Sequence, residues 1–236
     1  MRNGCSMLCR SFVATIALVL LSAASLAREP EDTSEAARFH PAHTIAVTDA
    51  RNEGGIFGVA GGTVVLNVTV DENGKIEDEA APRGIERLTP HVIRWVGTWG
   101  WKPASLNGKS MASVVTVAVT VDPPNYPPQG PALPPVKAVQ APSRASFRPP
   151  QVIFAAYPRY PPTTILIEDV ALDVTISAMG EPAEIKVLRD VPPLTAAAID
   201  SLREWKFSPA SLGDKPVAAQ VTLAFGYRNP IINYPR

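Results

Sequence analysis

One stretch of this sequence occurs twice, at a constant offset of 106 residues. Residues 64–70 (VVLNVTV) align with residues 170–176 (VALDVTI), and residues 99–106 (WGWKPASL) align with residues 205–212 (WKFSPASL). The alignment extends from residue 64 to residue 121 in the first copy without an insertion. A repeat of this kind predicts two copies of one small structural unit, and it limits the folds that the chain can adopt.

Each copy has the pattern of strand, hairpin, helix and strand. Apolar residues alternate with small or polar ones at the start, which is typical of a half-buried strand. A glycine at the shared positions Gly74 and Gly180 predicts a hairpin turn, and the returning strands are expected at 75–80 and 182–188. The sequence therefore predicts an α+β fold of two tandem ββαβ modules, each a three-stranded antiparallel sheet with a helix packed on one face.

The helix and the last strand of each copy follow from spacing. Val92, Val96 and Trp99 have helical spacing in the first copy. Thr89 followed by a proline predicts an N-cap, and Thr195 is the matching candidate in the second copy. The last strands are expected at 114–121 and 217–227, where apolar and polar residues alternate again.

The N-terminus has the order of a secretory signal peptide, which we assign to residues 1–27. Basic residues precede an apolar run, and small residues lead to a cleavage site after Ala27. The alternative is an uncleaved membrane anchor, because the apolar run is 17 residues long. Both cysteines, Cys5 and Cys9, fall in this segment, so the mature chain has no disulfide and depends on an apolar core.

Composition divides the rest of the chain into four segments. Residues 28–55 are polar and are expected to form a flexible N-terminal segment, and residues 123–150 carry ten of the prolines. Such a proline-rich stretch favours polyproline II and predicts a linker; a PxxP ligand is the alternative interpretation. The first domain is then expected at 56–122 and the second at 151–236.

The module resembles the C-terminal domain family of TonB energy transducers. The resemblance depends on the order of strand, glycine hairpin, strand, helix and the Trp-x-(Trp/Phe)-x-Pro-Ala signature. The second copy also has the Tyr-Pro opening motif of that family at Tyr157 and Pro158, which the first copy lacks. The combination is specific, although each motif alone is common.

The resemblance implies a periplasmic protein that binds an extended peptide of an envelope partner, such as an outer-membrane transporter. In that family the peptide is added to the edge of the sheet beside the last strand, which is β-augmentation. The residues that the resemblance assigns to this peptide-receiving edge are Val115, Val117, Val119, Val221, Leu223 and Phe225.

Two alternative functions remain open at this stage. If the leader is retained, the chain is an inner-membrane TonB-type transducer; if the leader is removed, it is a periplasmic adaptor. The mass of the mature protein separates the two. A structural role is the other alternative, in which the last strands pair with each other inside one chain or across a homodimer.

Composition and motifs give little support for other chemistry. The chain has 22 basic and 22 acidic residues with no long run of either sign, whereas binding to a phosphate backbone needs a basic face, which argues against nucleic acid as a partner. His40 and His43 are too few for a zinc site, and no nucleophile motif is present, so we expect no metal, no cofactor and no enzymatic activity. Trp99, Trp101 and Trp205 are expected in the core, whereas Trp95 is the candidate for exposure.

Overall fold

The computed structural model of the chain describes residues 38–50, 61–121, 147–157, 159–162 and 164–228. The predicted signal peptide and most of the predicted linker lie outside these residues. All of the described residues fall in one compact unit. The protein has a mixed α+β structure, as predicted, with far more strand than helix in the described part.

The described residues form sixteen strands and two α-helices. The helices are α1 (Thr89–Val96) and α2 (Leu194–Ser201), and a short 3-10 turn (Leu202–Glu204) follows α2. The strands are β1 (Phe39–His40), β2 (His43–Ala46), β3 (Gly62–Val70), β4 (Ile76–Arg83), β5 (Gly100–Lys102), β6 (Ala104–Leu106), β7 (Lys109–Met111), β8 (Ser113–Val121), β9 (Phe147–Arg148), β10 (Gln151–Phe154), β11 (Asp169–Ile176), β12 (Pro182–Arg189), β13 (Lys206–Ser208), β14 (Ala210–Leu212), β15 (Lys215–Val217) and β16 (Ala219–Gly226).

The two copies share one six-stranded sheet with the order β12-β11-β16-β8-β3-β4. Each copy contributes three strands, and the last strands β8 and β16 pair in parallel at the centre. The prediction of two separate three-stranded sheets is therefore wrong. Its physical reason is visible in β8, in which all nine residues are buried, because a strand covered on both faces belongs inside a sheet.

The two helices lie on opposite faces of this sheet. The core on one face contains Leu66 of β3, Val117 of β8 and Val92 of α1. The core on the other face contains Leu172, Leu223 and the α2 residue Leu194. We call these sides the α1 face and the α2 face. The two copies are thus related by an approximate two-fold rotation about an axis along the central strands.

A short segment before each copy is folded as well, which corrects two predictions. Residues 38–50 belong to the segment predicted to be flexible, yet β1 pairs with β6 and β2 pairs with β5. Residues 147–150 belong to the predicted linker, yet β9 pairs with β14. Phe39 and Phe147 open these segments and are both buried, because their rings pack against each other with centroids 4.8 Å apart.

Each of these segments also contacts the sheet of the other copy. The Thr44 and Thr222 hydroxyl oxygens are 2.6 Å apart, and the Thr116 hydroxyl donates to the carbonyl of Pro150 at 2.6 Å. Both pairs are buried. The segment before the first copy therefore lies over the second copy on the α1 face. The segment before the second copy lies over the first copy on the α2 face.

The structure confirms the predicted hairpin glycines but not the predicted helix N-caps. Gly74 and Gly180 have φ values of 79° and 84°, as the hairpin prediction requires. Thr89 and Thr195 do not cap the helices as predicted. The Thr89 hydroxyl accepts a hydrogen bond from the backbone N–H of Ile85 at 2.8 Å, and the Thr195 hydroxyl accepts one from the backbone N–H of Val191 at 2.8 Å. Each hydroxyl therefore fixes the loop that precedes its helix. Neither described helix has the length and apolar character needed to cross a bilayer.

Candidate sheet-edge binding site

The residues assigned to a peptide-receiving edge lie in the middle of the sheet. Val115, Val117 and Val119 are on β8, which pairs with β3 on one side and β16 on the other. Val221, Leu223 and Phe225 are on β16, which pairs with β8 and β11. All six are buried. The assignment of an open edge to these strands is therefore wrong, because each copy covers the last strand of the other.

The opening motif does not form an open edge either. Tyr157 is buried beside Gly62 and Arg83 of the first copy, and burial raises the pKa of its hydroxyl. Pro158 lies outside the described residues. Tyr157 thus takes part in the contact between the two copies.

The outer strands of the six-stranded sheet are β4 and β12. Among the described residues each is paired on one side only, β4 with β3 and β12 with β11. An outer strand leaves a row of backbone N–H and C=O groups without a strand partner, and such a row can pair with another chain. These two edges are therefore the places on the main sheet where an extended segment could be added.

The β12 edge is the more open of the two. Its first six residues are all exposed, and two of them, Ile185 and Val187, are aliphatic with 36% and 38% of their surface accessible. They are opposite Val174 and Leu172 of β11, which belong to the core on the α2 face. Ile185 and Val187 therefore extend that core to the border of the sheet.

A groove of about 450 Å³ lies between the β12 hairpin and the end of α2. Its apolar lining comes from Ile185, Ile199, Leu202 and Trp205. The polar residues at its border are Glu181, Arg203 and Lys206. Trp205 is held in place by its indole N–H, which donates to the carbonyl of Ala156 at 2.9 Å. The groove is a preformed surface of mixed apolar and polar character directly beside the outer backbone of β12.

Charged residues occupy the other face of β12. Glu184 and Lys186 are exposed and make no ion pair with any described residue, and Lys186 is opposite Asp173 of β11. Burial raises the pKa of Asp173 to about 7, and nearby Lys186 only partly opposes that effect. Its Oδ1 atom has no hydrogen-bond partner among the described residues. β12 thus has one apolar face and one face of alternating charge.

The C-terminal end of β12 is fixed by a network of ion pairs. Arg189 contacts Asp49 at 3.0 Å and Glu168 at 3.1 Å. Its Nε also donates to the carbonyl of Asp169, whose carboxylate is paired with buried Arg228. Because Asp49 belongs to the first copy, this network ties the edge strand to both halves of the protein. The backbone of β12 is held in place before any partner arrives.

The β4 edge has different chemistry at the matching positions. Glu79 stands where β12 has Ile185, Asp78 where it has Glu184, and Pro82 where it has Leu188. Burial and the neighbouring Asp78 raise the pKa of Glu79. Negative charge and proline on an outer strand oppose pairing with another chain. β4 is therefore a protected edge, whereas β12 is not.

The remaining candidate residues have structural roles. Trp99, Trp101 and Trp205 are buried in the core, as predicted. The prediction that Trp95 is exposed is wrong: it is 1% accessible, because its indole N–H donates to the carbonyl of Thr48 in the segment before the first copy. His43 is half-buried, and burial lowers its pKa. Within the described residues, no group of three or more metal-ligating side chains comes together.

Sequence reasoning missed the β12 edge, although a signal for it was present. The returning strand of the second copy reads AEIKVL, whereas that of the first copy reads EDEAAP. An alternating apolar pattern in one copy and an acidic one in the other indicates that the two outer strands meet different surroundings.

Comparison with known proteins places the second copy in a family. Residues 157–228 match the model of the Gram-negative bacterial TonB protein C-terminal domain. This match covers less than half of the chain and confirms the resemblance of the second copy; the TonB-like assignment of the first copy stays a prediction that depends on the repeat. No curated protein and no solved structure matches the chain. The matched residues include β11, β12, α2 and the groove.

Proposed function

We propose that this protein is a TonB-like binding protein of the Gram-negative envelope, which recognises an extended peptide segment of a partner by β-augmentation along β12. The family match supports a role in envelope interactions. The observation that carries the proposal is the outer backbone of β12, which has no second strand partner among the described residues, beside a preformed groove with apolar and charged lining residues. Main-chain hydrogen bonds to β12 supply affinity, and side chains that enter the groove supply selectivity.

The site specifies the kind of peptide that fits. A strand added to β12 presents alternate side chains to its two faces. On the α2 face they meet Ile185, Val187 and the groove, so apolar residues are favoured there. On the other face they meet Glu184 and Lys186, so charged residues of either sign find a partner. A periplasm-facing segment of an outer-membrane transporter is the partner that the family assignment suggests.

A panel of synthetic peptides from the periplasm-facing N-terminal segments of outer-membrane transporters of the same organism tests the proposal. Binding is measured by fluorescence anisotropy and by backbone amide shifts. We expect the shifts to concentrate in residues 182–189 and in the groove. The substitution Ile185→Glu, which introduces the residue found at the matching position of β4, should weaken binding at least about tenfold, because it places a charge against an apolar strand.

The reverse substitution on the other edge, Glu79→Ile, is the matched control and should leave the affinity for these peptides within about twofold. The proposal is wrong if no peptide binds, if the shifts map to another part of the sheet, or if Ile185→Glu binds like the unmodified protein.

A further inference from the structure

We propose that β12 also forms the interface of a homodimer, in which two copies of the chain pair their β12 strands antiparallel about a two-fold axis through Ile185. The occupant is a second copy because the strand is complementary to itself. A second copy and a peptide would occupy the same side of β12, so the dimer has to dissociate before a peptide binds; self-association is measured on the protein alone, which separates the two proposals.

The complementarity follows from the order Glu184, Ile185, Lys186. In an antiparallel pair centred on Ile185, the residue before the centre faces the residue after it in the other strand. Glu184 of each copy is then opposite Lys186 of the other, which gives two cross-strand ion pairs of opposite charge. Ile185 is opposite its own counterpart on the α2 face, and the exposed aliphatic surface of both copies is covered together.

Exposure and charge favour this pairing over other arrangements. Glu184 and Lys186 make no ion pair with the described residues of their own copy, so dimer formation breaks no such pair. β11 is paired regularly with residues 184–187, which leaves this part of β12 straight enough to receive a strand. Without the predicted leader, which contains Arg2 and Arg10, the chain has 20 basic and 22 acidic residues, so long-range repulsion between two copies is weak.

The β4 edge gives the opposite result when the same pairing is applied to it. A β4 pair centred on Glu79, the position that matches Ile185, would place Glu79 opposite its own counterpart and Asp78 of each copy opposite Ala80 of the other, so like charges would meet at the centre and no ion pair would form there. Self-association at β12 alone is isologous and closes at two copies. The dimer would have one continuous sheet, with β4 of each copy at its two ends.

Sedimentation velocity of the purified full chain over a range of concentrations tests the inference. We expect a reversible monomer–dimer equilibrium. Glu184→Lys places lysine opposite lysine at both symmetric pairs and should raise the dissociation constant at least about tenfold, and Lys186→Glu should do the same with acidic residues. The double variant Glu184→Lys/Lys186→Glu restores opposite charges in both pairs and should bring the dissociation constant back to within about threefold of the original.

Asp78→Lys changes the matching position of β4 and is the control, which should leave the equilibrium unchanged. Thermal melts of all variants check that the exposed substitutions leave the fold intact. A chain that stays monomeric at every concentration, a double variant as weak as the single ones, or an equal effect of Asp78→Lys would overturn the inference. Assemblies larger than two copies would also contradict it, because β12 pairing closes at the dimer.

Discussion

Asp173 is an acidic side chain in a place that favours its neutral form. It lies 6% accessible on β11, on the α1 face, with Lys186 and Glu184 of β12 as its charged neighbours. Burial raises its pKa to about 7, well above the value of 3.8 for the free side chain. The folded protein therefore holds this proton more tightly than the unfolded chain does, and the stability of the fold falls as the pH rises from about 4 to about 7.

The substitution Asp173→Asn should remove this loss of stability, because an amide of the same shape has no charge to bury. We expect the free energy of unfolding at pH 8 to increase by roughly 2–4 kcal/mol, with little change at pH 4. Urea titrations at a series of pH values measure it. The first copy has Asn67 at the matching position, and Asn67→Asp should introduce a pH dependence there. An Asp173→Asn variant with the same pH profile as the original would contradict the assignment.

The sequence predicted the burial of residues that are covered within their own copy, but not the burial of residues that are covered by a distant segment. Trp99, Trp101 and Trp205 were placed in the core correctly, since they belong to the repeated signature between helix and strand. Trp95 was misplaced because its cover comes from Thr48, in a segment whose polar residues gave no periodic pattern. Periodicity reports on a residue's own element and is silent about a distant segment that packs over it.

The hairpin before each returning strand depends on its glycine for two separate reasons. The positive φ of Gly180 is one, and the other is space, because a Cβ atom there would lie 2.7 Å from the carbonyl oxygen of Phe207. Gly74 has the same relation to Trp101 in the first copy. The glycine therefore lets the hairpin pack directly on the backbone of the strand that follows the helix.

Gly180→Ala should destabilise the protein by roughly 2–4 kcal/mol, because it combines a strained backbone with a contact against a carbonyl that cannot move freely. Gly108→Ala is the matched comparison. Gly108 also has a positive φ, of 78°, but nothing lies within 4 Å of its Cβ position, so only the backbone term of about 1–2 kcal/mol applies. Chemical denaturation of both variants separates the cost of backbone strain from the cost of the close contact. An equal decrease in the free energy of unfolding for the two variants would show that the close contact is unimportant.

The two helices and the six long strands were predicted close to their residues, but the ten short strands of the described part and the order of the sheet were not. The hairpins, the helices and the last strands occur close to the expected residues, since turn glycines and alternation are local signals. Whether β8 and β16 are edge or central strands depends on pairing between copies, which alternation alone does not decide. The absence of any charged residue in 113–121 and 219–226 was the available clue, because such strands suit burial on both faces.

At the scale of the whole molecule, the two copies complete one another. β8 and β16 share a parallel ladder, and Ala224 of the second copy lies in the core that contains α1. Val65 and Ala118 of the first copy lie in the core that contains α2. Neither copy buries its own apolar surface alone, so the protein is expected to unfold as one cooperative unit.

Residues 147–236 produced alone should therefore fail to form a stable monomer, because the flank of β16 and the surface around Ala224 lose their cover. Circular dichroism and NMR spectra of this fragment should show a poorly ordered or self-associating species. As a control, a protease site engineered between residues 122 and 146 should give two fragments that stay together on a sizing column. A monomeric, well-dispersed fragment would contradict this account.

The outer strands β4 and β12 are matching elements of a duplicated unit, yet β4 has acidic residues and a proline, whereas β12 has one exposed apolar face. In an assembly of two identical chains, any substitution at one end of the sheet would appear at the other end as well. Duplication within a single gene removes that constraint. The two ends of the sheet can therefore carry different chemistry within one chain, so a contact made at β12 need not be repeated at β4.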